Sequence, residues 1–183
     1  MSIVRDNPPN VASLKVAFCG AMGSGKTYAS NELRNRVDGD CKVLSIATPI
    51  KDIVQDMGQG GRACHIMVGM IGREIQESTW IDRLVERVKK YEAAGVHNII
   101  VDDVRFGNEA VALKEAGFIL IYLNTPWHLR FQRIRARTDD LNAHIAWFAH
   151  PSEIAPEEID RSLFDYIISD QEEVESVVKS LLK

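Results

Sequence analysis

The tightest constraint on this chain is one octapeptide. Gly20-Ala21-Met22-Gly23-Ser24-Gly25-Lys26-Thr27 fits the spacing G-x-x-x-x-G-K-[ST], and it lies between the apolar run Val16-Ala17-Phe18 and a stretch with helical patterning. A strand that turns through such a loop into a helix aims several backbone N–H groups and the positive end of a helix dipole at one spot, which makes a cradle for phosphate. Chance supplies a full match on the order of once in a hundred chains of this length, before the flanking strand and helix are required. Gly20, Ala21, Gly23, Ser24, Gly25, Lys26 and Thr27 are therefore read as binding the phosphates of ATP. Lys26 reaches the β- and γ-phosphates as a catalytic group, and the Thr27 hydroxyl ligates Mg²⁺.

The rest of the chain fits the fold this loop demands. Short β-rich runs alternate with helical patterns, the signature of an α/β domain with a mostly parallel sheet and helices on both faces. Strands are expected at 15–19, 41–46, 98–101, 118–123 and 166–169. Val174, Val177, Val178, Leu181 and Leu182 follow the spacing of one buried helical face, and Trp80, Ile81, Leu84, Val85 and Val88 mark a second such helix that ends before Gly95. Residues 1–13, with Pro8 and Pro9 and no hydrophobic period, read as a loose leader. Residues 14–183 form one domain, because a split would leave neither half enough core.

Composition narrows the function classes. A net charge of −4 over 183 residues argues against a broad nucleic-acid surface, and no run approaches the ~18 apolar residues of a membrane span. Cys19, Cys41 and Cys64 are odd in number, and two fall in strand-like runs, so they are read as reduced thiols of a cytoplasmic protein. His65, His97, His128, His144 and His150 show no close pair at ligand spacing. Small-molecule nucleotides are the expected partners, with monomer and homodimer both open.

Two further groups bear on chemistry. Asn98-Ile99-Ile100-Val101-Asp102-Asp103 is an apolar strand ending in two carboxylates, a setting suited to Mg²⁺ or its water shell. Strand side chains alternate, so if both residues stay extended only one faces the phosphate loop, and Asp102 and Asp103 both remain candidates. In the stretch 128–137, helical geometry gathers Arg130, Arg133 and Arg137 into one arc, with Trp127, Phe131 and Ile134 on a neighbouring arc that can face the core. Fixed guanidinium charge suits a transferring phosphoryl group, so Arg133 and Arg137 are assigned to catalysis and all three arginines to the base of a lid at 138–152. Trp147-Phe148 in that lid could cover a base.

With these residues on the page, the chain resembles the phage-type deoxynucleoside monophosphate kinases, within the wider nucleoside monophosphate kinase group, from Leu14 to its end. The resemblance rests on the phosphate loop, on Asp103-Val104-Arg105-Phe106-Gly107-Asn108-Glu109-Ala110, and on Ala47-Thr48-Pro49-Ile50-Lys51. It rests also on Gly72-Arg73-Glu74 followed by Trp80, on His150-Pro151-Ser152-Glu153 near the lid, and on the ending Phe164 to Ser169. It implies a P-loop fold with a five-stranded parallel sheet, an acceptor-binding insertion at about 48–95, and Mg²⁺-assisted phosphorylation of a monophosphate to the diphosphate. It also implies that Arg105 binds the acceptor's phosphate, that Asp103, Asn108 and Glu109 shape that site, that Lys51 and Arg73 help hold the acceptor, and that His150 belongs to the lid. Thr48 stands where related kinases often place an acid, and Ser169-Asp170 where Ile-Asn is frequent. Two other readings share the motif: a phosphomevalonate- or dephospho-coenzyme-A-type kinase, and a nucleotide-driven switch or ATPase. No N-K-x-D element supports the switch.

Overall fold

The computed structural model describes residues 13–136 and 150–182. The leader apart from Ser13, Arg137, His144, Trp147-Phe148 and lid positions 138–149 lie outside the described residues. Five strands, β1 (Leu14–Cys19), β2 (Cys41–Leu44), β3 (Asn98–Val104), β4 (Ile119–Leu123) and β5 (Tyr166–Ile168), form one sheet in the order β2-β3-β1-β4-β5. Every pairing is parallel. The helices are α1 (Lys26–Arg34), α2 (Thr48–Asp56), α3 (Arg62–Ile75), α4 (Thr79–Ala93), α5 (Gly107–Glu115), α6 (Trp127–Arg135), α7 (Pro151–Glu158) and α8 (Gln171–Leu181). The five expected strands and both expected helices are present, and the fold is the three-layer P-loop architecture.

A parallel sheet covered on both faces needs strands that are apolar on both faces. In β1, Ala17 and Cys19 point into one core with Ile99, Val101, Leu120 and Tyr122, packed by Trp80, Leu84 and Val88 of α4 and Leu113 of α5. Val16 and Phe18 point into the other with Ile100, Ile121 and Ile168, packed by Ala29 and Leu33 of α1 and Val174 and Val178 of α8. The central strand is thus clamped from both sides, and its carboxyl end is a fixed platform. The chain leaves β1 for the edge strand β2, returns to β3, and then crosses to β4. Strand order therefore reverses around β1, and open α/β sheets bind ligands at that point.

Three differences from the expected boundaries bear on the site. β2 stops at Leu44 rather than 46 because Ser45, Ile46 and Ala47 turn to meet the Asp103 carboxylate. β3 runs on to Val104 with a slip, since Ala17 pairs with Val101 but Cys19 pairs with Val104. One extra residue on β3 breaks the simple alternation there. The lid's expected end is also ordered: helix α7 begins at Pro151, a residue preset for the first helical turn, behind a cap in which His150 Nδ1 accepts the Ser152 N–H.

Candidate phosphoryl-transfer site

The loop between β1 and α1 has the geometry its glycines foretell. Gly20 and Gly23 have φ of 146° and 79°, in the region L side chains avoid. A Cβ on Gly20 would lie 2.8 Å from Ser24 Oγ, and one on Gly23 would lie 2.8 Å from the Arg130 carbonyl. Both positions are closed to any larger residue. Lys26 opens α1 and is buried, with Nζ donating to the Gly20 and Ala21 carbonyls. Burial, then the nearby Arg105 charge, pulls its ammonium down to about 7. Cys19, immediately before the loop, is pushed by burial to about 12, so its thiol stays protonated and inert.

A cavity of about 970 Å³ opens beside this loop, lined by residues of the loop, α2, α3, the end of β3 and the start of α7. Thr27, Lys51, Arg73, Asp102, Asp103, Arg105 and His150 all line it. Both aspartates face it because the register slip in β3 removes the alternation that would have separated them. Their bonding differs. Asp103 Oδ1 accepts the Ile46 N–H at 2.8 Å, and Oδ2 accepts the Ser45 hydroxyl at 2.6 Å and the Ala47 N–H at 3.0 Å. Its carboxylate fastens the β2–α2 loop. The Asp102 carboxylate takes no hydrogen bond from another residue among the described residues, and burial followed by repulsion from Asp103 raises its pKa. Mg²⁺ prefers oxygen donors and keeps several waters, so a hydroxyl at Thr27 and a carboxylate at Asp102 fit its chemistry.

Away from the loop, the cavity is bordered by a set of guanidinium groups tied to two buried carboxylates. Glu109 is 3% exposed and accepts the Arg105 and Phe106 N–H groups at 2.9 and 3.1 Å, closing the first turn of α5. It also accepts from Arg73 Nη2 at 3.2 Å, while the Arg73 guanidinium lies 4.2 Å from the centre of the Phe106 ring. Glu109 therefore shapes the site from behind its wall rather than lining it. Arg73 is placed by packing: a Cβ on Gly72 would fall 2.2 Å from Trp80, whose Nε1 donates to the Gly69 carbonyl. The pairing of Gly72 with Trp80 in the sequence is thus a close helix crossing that seats α3 on α4.

Three expectations are corrected by the geometry. Asn108 does not line the cavity; its Nδ2 donates to the Glu77 carbonyl and ties α5 to the α3–α4 turn. The arginine arc of α6 divides: Arg133 Nη1 donates to the Gly23 and Ser24 carbonyls, whereas Arg130 is buried and pairs with Glu157 at 2.7 Å, away from the cavity. Residues three apart on a helix are offset by about 60°, enough to send them to different neighbours. Trp127, placed on a core-facing arc, is 60% exposed with its ring packed on Phe131, because α6 stands at the edge of the phosphate loop rather than across the sheet.

Two residues carry more of the site than the sequence suggested. Glu153, 3% exposed, accepts the Met22 N–H at 2.6 Å, Arg62 Nη2 at 2.9 Å and Arg105 Nη1, while Arg105 Nη1 also donates to the Ser152 carbonyl. A signal existed in His-Pro-Ser-Glu, where a proline preset for a first turn puts the glutamate at its third position. Arg62 had none, being a lone arginine after Gly60-Gly61. A smaller hollow of about 250 Å³ lies on the other side of the loop, between Arg133, Thr125 and the β5–α8 turn. There Asp170 caps α8 by accepting the Glu173 N–H. Among the described residues no cluster of three or more His, Cys, Asp or Glu side chains is disposed to hold a metal, and no helix is long and apolar enough to cross a membrane.

A family model described as AAA domain matches residues 16–145. A UPF0200 protein of Methanosarcina acetivorans is 29% identical over 134 residues, which cover 70% of this chain and 69% of that protein. Among solved structures, shikimate kinase from Acinetobacter baumannii in complex with shikimate aligns over 94% of this chain and 92% of its own, with a TM-score of 0.59 and 18% identity. A sugar kinase from Janibacter sp. aligns over 93% and 94%, with a TM-score of 0.62 and 17% identity. At these identities the likeness speaks for the fold, that of the P-loop kinases.

Proposed function

Because the chain belongs to the AAA domain family and carries an intact phosphate loop, we propose that it is a kinase moving the γ-phosphoryl group of ATP onto a nucleoside monophosphate, deoxynucleotides being the preferred class. One observation carries this reading. The cavity beside the phosphate loop joins the guanidinium groups of Arg62, Arg73 and Arg105 to an apolar wall of Ile50, Ile66, Met70 and Phe106. Arginine forks match phosphate oxygens, and an apolar wall suits the face of a base. A sugar offers neither feature, and shikimate offers an anion without a base-sized flat face.

In this reading the donor lies on the loop amides with Lys26 against its β- and γ-phosphates, and its nucleoside occupies the smaller hollow by Arg133 and Asp170. Thr27 and Asp102 hold Mg²⁺, with Asp103 engaged instead in anchoring the β2–α2 loop. When bound, the metal neutralises charge on the β- and γ-phosphate oxygens. Arg105, with Arg62 and Arg73, holds the acceptor's phosphate so that one of its oxygens faces the γ-phosphorus. That oxygen bonds to phosphorus as the bond to the β–γ bridging oxygen breaks, and ADP departs with the electron pair. Lys26 and Arg133 offset the charge on the transferring group, and Arg137 is assigned the same task. His150 and the segment before it serve as the cover that excludes water.

The test is an acceptor panel. The full chain with Mg²⁺ and ATP is mixed with each deoxynucleoside and ribonucleoside monophosphate, and with phosphomevalonate, dephospho-coenzyme A, shikimate and a hexose, and ADP is measured. At least one nucleoside monophosphate should release ADP well above the acceptor-free rate. Turnover confined to another acceptor replaces the substrate class, and equal hydrolysis with none moves the protein to the switch class.

A further inference from the structure

The carboxylate of Glu153 stands where three separate parts of the site meet. Arg62 comes from the first turn of α3, Arg105 from the β3–α5 connection and the Met22 N–H from the phosphate loop, yet all three donate to one side chain of α7. We propose that Glu153 is a positioning residue for phosphoryl transfer: it holds the Arg62 and Arg105 guanidinium groups side by side against the phosphate loop, so that an acceptor phosphate bound on them lies in register with the donor. This rests on the reading of the cavity as the seat of a phosphorylated acceptor.

Burying a carboxylate costs several kcal/mol unless charge and hydrogen bonds compensate it, so a glutamate at 3% exposure is held in place by its partners. Among the described residues Glu153 is shared by two guanidinium groups, and Arg105 makes no other ion pair there. Arg105 spends Nη1 on Glu153 and Ser152, and among the described residues its Nε and Nη2 have no hydrogen-bond partner. Those donors remain for oxyanion oxygens. The backbone that carries this carboxylate is also tied down. Its own N–H donates to the His150 carbonyl at 2.8 Å, and the His150 ring caps the same turn, so Glu153 sits in a fastened helical turn. A side chain anchored in this way braces its partners rather than competing with ligand for them. Without it the two guanidinium groups would repel each other, and the Met22 N–H would lose its acceptor.

The experiment uses inorganic phosphate as the probe, with saturating ADP and Mg²⁺ occupying the donor side, and reads its dissociation constant by ³¹P line broadening. Glu153→Gln keeps the shape and an acceptor for the Met22 N–H but removes the charge that holds both arginines. It should weaken phosphate about tenfold, equivalent to about 1.4 kcal/mol, with ADP affinity within about twofold of wild type. Glu153→Asp keeps the charge and should recover part of the loss; it carries the same test if the glutamine variant does not fold. In turnover, acceptor KM should rise while ATP KM holds. Unchanged phosphate affinity means the brace is idle, and tighter binding means the carboxylate competes for the arginines; either overturns the proposal. The underlying reading fails separately, if wild type shows no phosphate binding that Arg105→Ala abolishes.

Discussion

On the proposed reading, the donor and acceptor halves of this site are built by different methods. The proposed donor cradle is eight consecutive residues whose backbone amides would do the binding, positioned by the single clamped strand β1. The acceptor half is assembled from side chains of α3, the β3–α5 connection and α7, held together by the buried carboxylates Glu109 and Glu153. Backbone donors are specified by local conformation, so their geometry survives most changes of side chain. Side-chain donors are specified by contacts between distant segments, so their geometry depends on each partner.

Mutations on the two sides should therefore fail in different ways. The largest effect is expected from Lys26→Ala, which should lower kcat about a thousandfold, the scale of losing a preorganised charge at a transferring group. Its thermal midpoint should hold or rise, because a costly buried ammonium is removed; turnover and thermal melts read both. Arg105→Ala should lower kcat/KM for the acceptor about a hundredfold, some 2.7 kcal/mol, with ATP KM unchanged in initial-rate measurements. An equal loss for donor and acceptor would erase the division between the halves.

A third expectation concerns pH. Free Lys26 titrates near 7, and a bound triphosphate keeps it charged, so the complex holds a proton that the free protein has lost above that pH. Affinity for ATP with Mg²⁺ should therefore be level below pH 7 and fall above it, by at most about tenfold per unit. Titration calorimetry in buffers of different ionisation enthalpy should show proton uptake at pH 8 and none at pH 6. The smallest effect is expected from Asn108→Ala, whose amide ties α5 to a turn outside the cavity; both KM values should stay within about twofold. A large acceptor effect there would extend the site around the outside of α5.

What the sequence made legible follows the same division. The phosphate loop and its strand were readable because every determinant is contiguous, and the five strands because burial on both faces leaves near-continuous apolar runs. The pair Asp102 and Asp103 could not be resolved from alternation, since a single extra residue in β3 brings both to one cavity. Arg130 and Arg133 looked equivalent on a helical wheel, yet the partner that draws Arg130 away, Glu157, is 27 residues distant. Glu153 was visible as part of a motif but silent as to role. Nothing local announces that a carboxylate will be buried against two arginines and a loop amide, because that is decided by how α7 returns to the sheet.

The close fit of Gly72 against Trp80 has a mechanical corollary. Helix α3 is fastened near its carboxyl end, where the indole N–H also grips the Gly69 carbonyl, while Arg62 sits at the opposite end. A rod pinned ten residues from its tip is a lever about 15 Å long, and a tilt of about 10° would sweep that tip through about 2.6 Å, close to one hydrogen-bond length. Small rotations at a tryptophan fulcrum are thus enough to make or break the arginine's grip at the far end.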